Sequence, residues 1–414
     1  MKSRFTKTIA AAAVGALALS LSACGGSDSP KTGGSSGGAT GGEPTTVEVW
    51  DYLGQGVSAE GMNAVVASFE KANPQYKIKR TSIAYGDLAK SIVQGGVGGA
   101  VPDVAIVDVV DTQSFATLGL LADVTTEHGG DASQFYEGPW SSGQLDGKTY
   151  GLPLNSNNLA LFYNKDYFAE AGVEVPTNWD ELRTTARALT SGDHNGLSLS
   201  AVKNEQGTFQ FLPFLWQTGG DLDTFATDGA KALGLYKDLI DDKSMSSSVA
   251  NYSQEDARTQ FVTGKSAMMI NGPWELANLA DADFEWDVAP LPAGQVAATG
   301  LGGENIVTFA QAKNLEGGKA FMAYLASNEG AKEYCDITGQ LSSRPDLEGK
   351  LATSSDPKIK VFELQLKDAH ARVGSKYPEI SAAVQEALQK VTTGAASPEE
   401  AAKAAAEVIN SNLG

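Results

Sequence analysis

The chain has 414 residues, with 31 Lys and Arg against 50 Asp and Glu, for a net charge of −19. An acid excess of this size opposes nucleic acid and anionic lipid surfaces as partners and suits a neutral or cationic ligand. With two cysteines and three histidines in the whole chain, no metal site or disulfide framework is expected.

Residues 1–23 have the order of a targeting segment. Lys2, Arg4 and Lys7 give a positive start, and Ile9 to Leu21 forms an apolar core too short to span a bilayer permanently. Leu21-Ser22-Ala23-Cys24 then resembles the bacterial lipoprotein box, in which the cysteine is lipidated and becomes the first residue; the alternative is an ordinary secretory signal with an incidental cysteine. Residues 25–43 hold eight Gly and four Ser and no large apolar side chain, so they cannot bury enough surface to fold. As a tether they would reach ~20–25 Å. The expected order is a signal peptide over 1–23 and a lipid anchor with Gly/Ser linker over 24–44. Lipidation of Cys24 leaves Cys335 alone, so no intramolecular disulfide can form. Cys335 is expected to be a small buried hydrophobe on a helix.

Residues 44–414 exceed what one core usually holds, and two lobes are expected. "TTVEVWD" is a short strand entering a Gly-rich loop. "SAEGMNAVVASFEKANPQ" has helical spacing and stops at Asn73-Pro74. "YKIKRTSIA" alternates as a strand, and "GDLAKSIVQGG" is a short helix. "VPDVAIVDVV" is nearly all apolar, the mark of a strand buried on both faces. Strand alternating with helix predicts an α/β fold with a largely parallel sheet. Past the Asp146-Gly147 turn come strands "TYGLPL" and "LALFYN", then a helix over "PTNWDELRTTARALTSG" with Thr177 as N-cap. "LSLSAV", "SAMMIN" and "FEWDVAPLP" are strands of a second lobe. "NIVTFA" and the helix "LEGGKAFMAYLAS" follow. The tail is expected to be helical over "DPKIKVFELQLKDAHARV", "YPEISAAVQEALQKVTTG" and "SPEEAAKAAAEVINSN", the last with Ser397 as cap and Glu400 at the capping-box position.

Catalytic motifs are lacking. None of His128, His194 and His370 sits in H-E-x-x-H, and there is no G-x-S-x-G elbow. "GQLDGKT" is one residue short of a phosphate loop and precedes a strand, and "GGVGGA" fails the dinucleotide spacing. "DLDTFATD" lacks calcium-loop spacing. What stands out is aromatic residues in loops beside small polar ones: Trp50 at the end of the first strand, Tyr85 in "IAYGD", Trp216 before "QTGGD" and Trp274 in "INGPWEL". An indole covers the apolar C–H face of a sugar ring while amides, acids and arginine bind its hydroxyl rim; the alternative for each ring is a place in the core.

The order of motifs then matches a family. "PDVAIVDVVDTQSFATLGLLADVT", "YGLPLNSNNLALFYNKDYFAEAGVEVPTNWDEL", "FLWQTGGD", "GKSAMMINGPWEL", "FEWDVAPLPAG" and "FMAYLASNEGAKEYCDITGQLSSRPDL" occur in series. Together they resemble the extracellular solute-binding proteins of carbohydrate ABC importers, to which maltose-binding protein belongs, over roughly residues 45–345. The resemblance implies a periplasmic-binding-protein-like fold, two α/β lobes joined by a hinge of crossing segments near 154–158, 290–295 and 330–335. It implies an N-terminal lobe of 45–155 plus 295–331 and a C-terminal lobe of 156–294 plus 332–414. Ligand is expected between the lobes. Trp274 matches the family's stacking tryptophan. Asn157 stands where a relative carries a ligand-contacting Glu, and an amide both donates and accepts. Asp108 and Asp111 follow the buried strand, where family members contact sugar. Tyr85, Trp216, Asp221, Glu304 and Arg344 are further candidates. The Gly302-Gly303 pair would let backbone amides approach a ligand, and Asn155 is either a contact or a hinge residue. No catalytic residue and no cofactor are expected. The partners implied are a sugar or oligosaccharide, the permease subunits of a transporter, and the outer face of the cytoplasmic membrane through the N-terminal lipid. The chain is expected to act as a monomer. The alternative is the same fold with a non-sugar cargo such as a polyamine.

Overall fold

The computed structural model describes residues 43–280 and 282–413. The signal segment, Cys24 and most of the linker lie outside the described residues. The strands are β1 (Thr45–Asp51), β2 (Tyr76–Ser82), β3 (Val104–Asp108), the short β4 (Gln144–Leu145) and β5 (Lys148–Thr149), β6 (Gly151–Pro153), β7 (Ala160–Asn164), β8 (Asn195–Ser198), β9 (Ser266–Asn271), β10 (Trp286–Ala289), β11 (Thr299–Leu301), β12 (Glu304–Thr308) and β13 (Ala369–Ala371).

Two mixed sheets form, ordered β2-β1-β3-β12-β6 and β10-β7-β9-β8. The expected parallel pairing holds for β1 with β2 and β3, and for β8 with β9. The other pairings are antiparallel. β7 follows the crossing at 154–158 and β12 the crossing at Gly302-Gly303, and each runs antiparallel to both of its sheet neighbours.

Strand period explains the layering. In β3, Val104 and Ile106 face one core, with Val47, Val49, Phe69, Phe321 and Tyr334. Ala105 and Val107 face the other, with Leu88, Ile92 and Phe115. Every residue of β3 is buried, because helices cover both faces. The second sheet repeats the scheme. Leu161, Met268 and Ile270 face a core built with the helix Glu205–Gln217 and the C-terminal helices Tyr377–Thr392 and Pro398–Asn412. Ala160, Phe162 and Met269 face the helices Gln254–Val262 and Pro357–Gln365. No helix among the described residues is long and apolar enough to cross a membrane.

Several local expectations hold. The Ser397 hydroxyl and Glu400 carboxylate form a reciprocal capping box, and Cys335 is buried on the helix Asn328–Thr338, where burial pushes its thiol up. Others are corrected. Asn178, not Thr177, caps the helix Trp179–Ala188, accepting from the Glu181 amide at 2.9 Å; the Thr177 amide and hydroxyl instead donate to the Glu181 carboxylate.

The expected helix over 356–373 ends at Gln365, and Ala369–Ala371 becomes β13, parallel to β11. Here tertiary pairing overrides propensity. Gly300 of β11 has no room for a side chain, since a Cβ there would lie 2.7 Å from Phe209, and His370 stacks on Trp216 at 4.8 Å.

The lobe boundaries shift as well. Tyr334, Cys335, Leu347 and Leu351 pack in the first core, so the chain leaves the first lobe after Leu351 rather than at 331. Ala298 packs in the second core and β11 pairs with β13, so residues 295–301 belong to the second lobe. The crossings are the 154–158 segment, Gly302-Gly303 and a stretch between Leu351 and Pro357. The first two are stitched by backbone bonds between Asn157 and Gly302 in both directions, 3.0 and 2.9 Å. Gly303 has φ +139°, and a Cβ there would sit 2.5 Å from the Asn155 carbonyl, so glycine is required.

Candidate functional site

A cleft of about 1020 Å³ lies between the two sheets, lined from both lobes. It opens beyond the carboxyl ends of β1, β3 and β9, the ends at which α/β sheets place ligands. From the first lobe come Tyr52, Tyr85, Asp108, Gly303 and Glu304. From the second come Asn204, Gln206, Phe209, Arg258, Trp274 and Glu275, with Asn157 at the hinge and Arg372 just past β13. The lobes approach closely at two rims: a Cβ on Gly56 would lie 3.1 Å from Asn278 and one on Gly86 3.3 Å from Asn204.

The second-lobe wall is aromatic. Pro273 and Trp274 start a short turn as the chain leaves β9, and Trp274 stacks against Phe209 at 6.4 Å between ring centres. A Cβ on Gly272 would fall 2.0 Å from the indole, so that glycine makes room for the ring. Glu275 beneath it is held by Arg258 at 3.0 Å and by Asn278 at 3.0 Å. Burial nonetheless raises its carboxyl.

The first-lobe wall pairs phenols with carboxylates. Tyr52 donates to Glu304 Oε1 at 2.8 Å and Tyr85 donates to Asp108 Oδ2 at 2.7 Å, while the two rings meet edge to face at 4.8 Å. Burial, with the adjacent carboxylates, pushes both phenols well above their ordinary range. Burial holds the Glu304 carboxyl up at about 7; the Tyr52 hydrogen bond opposes the shift and the Asp108 charge adds to it. Between the walls sits Arg372, 2% exposed, bonded to Glu205 and 3.4 Å from Asp108, with its guanidinium 4.0 Å over the Phe209 ring. Tyr377 and Ser381 also donate to Glu205. Burial works against the Arg372 charge, but Asp108 and Glu205 outweigh it and keep the guanidinium firmly protonated. Glu205 is raised, by burial before all else.

Five buried polar atoms at the hinge have no partner among the described residues: Asn155 Nδ2, Ser156 Oγ, Asn157 Oδ1, Asn158 Oδ1 and Glu304 Oε2. A cleft combining an aromatic wall, unmet amide and carboxylate groups and a two-segment hinge fits capture of a polar solute.

Residues 55–332 match the family model of bacterial extracellular solute-binding proteins. The chain belongs to this family. Among its relatives, the galactooligosaccharide-binding protein of Bacillus subtilis (strain 168) is 25% identical over 420 residues, covering 96% of this chain and 95% of the relative. Among solved structures, the GacH receptor of Streptomyces glaucescens GLA.O, studied unliganded and with acarbose, has a TM-score of 0.80 at 28% identity, covering 89% of this chain and 98% of that one. The substrate-binding protein Lmo0181 of Listeria monocytogenes, in complex with cycloalternan, has a TM-score of 0.81 at 25% identity, covering 89% and 99%.

In this solute-binding protein the cleft collects Tyr85, Asp108, Asn157, Trp274, Gly303 and Glu304 from the sequence-derived candidates. The others lie elsewhere. Trp50 lies inside β1 and packs against the helix Tyr85–Gly98; Tyr52, two residues further and past the end of the strand, takes the place expected for it. Trp216 is 4% exposed in the second core, its indole N–H donating to Asp221 at 2.9 Å. Asp221 caps the turn Leu222–Thr224. Asp111 does not line the cleft, and burial, together with Asp108, raises its carboxyl. Arg344 is buried among Ala326, Gln134 and Asp346 and stacks over Phe135, clamping the first lobe. Asn155 is a positioning residue: its side-chain oxygen accepts from the Glu304 amide at 2.9 Å.

Sequence reading missed Phe209, Arg258, Glu275 and Arg372. Phe209 lies on a helix buried along its whole length, where an aromatic carries no distinguishing mark. Replacing Trp216 with Phe is expected to lower stability by about 1 kcal/mol through the lost N–H bond and to leave ligand affinity unchanged. Urea unfolding beside a ligand titration checks both.

Proposed function

We propose that this protein is the substrate-binding lipoprotein of a carbohydrate ABC importer, taking a sugar or oligosaccharide between its lobes and passing it unaltered to a membrane permease. The observation that carries this is the cleft of about 1020 Å³ with aromatic rings on both walls, Tyr52 and Tyr85 opposite Phe209 and Trp274. Its volume is at the top of the usual range for small-molecule sites. Stacked rings cover a sugar's apolar face, and Asn157, Asp108 and Glu304 accept from hydroxyls. The acarbose and cycloalternan bound by two structural neighbours support a glycan cargo.

Closure is a population shift driven by the ligand's preference for the closed state. The rims at Gly56–Asn278 and Gly86–Asn204 are where the lobes meet in it. The chain acts as a monomer that binds without catalysis. Residues 1–23 are a signal peptide, Cys24 carries the lipid, and residues 24–44 keep the receptor near its permease on the outer face of the cytoplasmic membrane. Effective concentration then favours delivery. A pneumococcal relative described as a maltooligosaccharide ABC transporter solute-binding lipoprotein supports this arrangement.

A thermal-shift screen against mono- and oligosaccharides tests the reading. At least one saccharide is expected to stabilise the protein, and Trp274→Ala is expected to weaken it by roughly 1–3 kcal/mol, about 5- to 150-fold. Unchanged affinity in that variant would remove Trp274 from the site.

A further inference from the structure

The charges that line the cleft do not balance. Four carboxylates line it, Asp108, Glu255, Glu275 and Glu304, against two guanidinium groups, Arg258 and Arg372. Arg258 is committed to Glu275 at 3.0 Å. Arg372 is shared between Asp108 and Glu205, a further carboxylate. Glu255 is exposed, where water meets its charge. Glu304 is 6% exposed and has no cation among the described residues. Its Oε1 accepts from Tyr52, and its Oε2 has no partner. A carboxylate buried without a cation is costly, so it either keeps its proton or receives a positive charge from outside.

The groups around Glu304 supply no such charge nearby. Tyr52 approaches from beyond β1, Asp108 from the end of β3, Asn155 from the crossing segment, and Tyr334 and the Cys335 thiol from the helix Asn328–Thr338. Arg372 acts on it weakly, its charge already divided between two other acids. Two residues back along the chain, Gly302 is stitched to Asn157, whose side-chain oxygen is a second buried acceptor without a partner on the same cleft. A site that offers unmet acceptors and a carboxyl able to give up its proton to an incoming charge is complementary to a group that only donates and carries positive charge, as an ammonium does.

We propose that the Glu304–Asn157 corner is a subsite for a protonated nitrogen, so that the cargo of this receptor is an amine-bearing glycan rather than a neutral one of the same size. This rests on the carbohydrate reading above and narrows it. The ammonium lies against Glu304 Oε2 and Asn157 Oδ1, with the Tyr52 hydroxyl bonded to the other oxygen of the Glu304 carboxylate.

Calorimetric titration at pH 7 with matched probes tests it: D-glucosamine against D-glucose, D-galactosamine against D-galactose, D-mannosamine against D-mannose, and the β-1,4-linked glucosamine trisaccharide against cellotriose. The amine member of at least one pair is expected to bind roughly ten- to a hundredfold more tightly, the range of a charge-assisted hydrogen bond. Glu304→Gln, which keeps shape and removes charge, is expected to abolish that preference. Tyr52→Phe, which keeps the carboxylate and removes the hydrogen bond to its Oε1, is expected to retain it. A preference that survives Glu304→Gln overturns the assignment of the subsite. Binding of neutral saccharides, in these pairs or in the wider screen, with no amine member favoured overturns this inference and leaves the carbohydrate reading standing. Failure of every saccharide, neutral or amine, sinks both.

Discussion

Replacing Arg372 with alanine is expected to destabilise the protein by about 3–5 kcal/mol, the cost of stripping a buried ion pair of one partner. The guanidinium is almost fully buried, contacts Asp108 and Glu205, and lies 4.0 Å over Phe209. Removing it leaves the two carboxylates facing each other in low dielectric and uncovers the Phe209 ring. Arg372→Lys is expected to recover only part of the loss, because a point charge can neither stack as a plane nor reach both acids in a fork. Urea unfolding with an unchanged slope measures the effect. A loss below about 1 kcal/mol, the worth of an exposed pair, would show that Arg372 does not hold the floor of the cleft together.

Glu304 is expected to make stability fall as pH rises. Its carboxyl sits at about 7 in the fold, against an ordinary value of 4.5. The folded state therefore holds a proton that the unfolded state has released across that window. Stability from this group is fully present below pH 4.5, declines as pH rises and is lost above about 7. A shift of this size corresponds to about 3 kcal/mol between the two limits. Glu304→Gln cannot ionise and is expected to flatten that segment of the profile, so that it gains on the wild type at pH 8. Thermal melting from pH 4 to 9 for both proteins checks this. Parallel curves would mean that Glu304 ionises in the fold as it does in water.

Much of the architecture was legible because it rests on local period. β3 reads as buried on both faces from its composition alone, and the capping box at Ser397 and Glu400 is written in four consecutive residues. The cleft residues that were found cluster at strand ends: Asp108 closing β3, Trp274 after β9, Glu304 opening β12. The misreadings came from where a strand ends, from residue types that serve packing as well as binding, and from long-range pairing. Trp50 and Tyr52 lie two apart, and only the observed end of β1 at Asp51 decides that Tyr52 is the one past the sheet. Trp216 and Arg344 belong to residue types that bind sugars, and both are used in packing. Arg372 lies 264 residues from Asp108 and 167 from Glu205, on a segment whose spacing favours a helix until β11 recruits it as a strand. No local pattern could place it at the site.

A saccharide between the lobes fills the space beside Trp274, and that indole reports its own environment. Tryptophan fluorescence of the wild type and of Trp274→Phe should be followed while the stabilising saccharide is titrated. The other five tryptophans lie outside the cleft lining. A saturable change in the wild type that largely disappears in the variant is the predicted result. A saturating signal of the same size in both proteins, or none with any mono- or oligosaccharide, would contradict a sugar bound between the lobes.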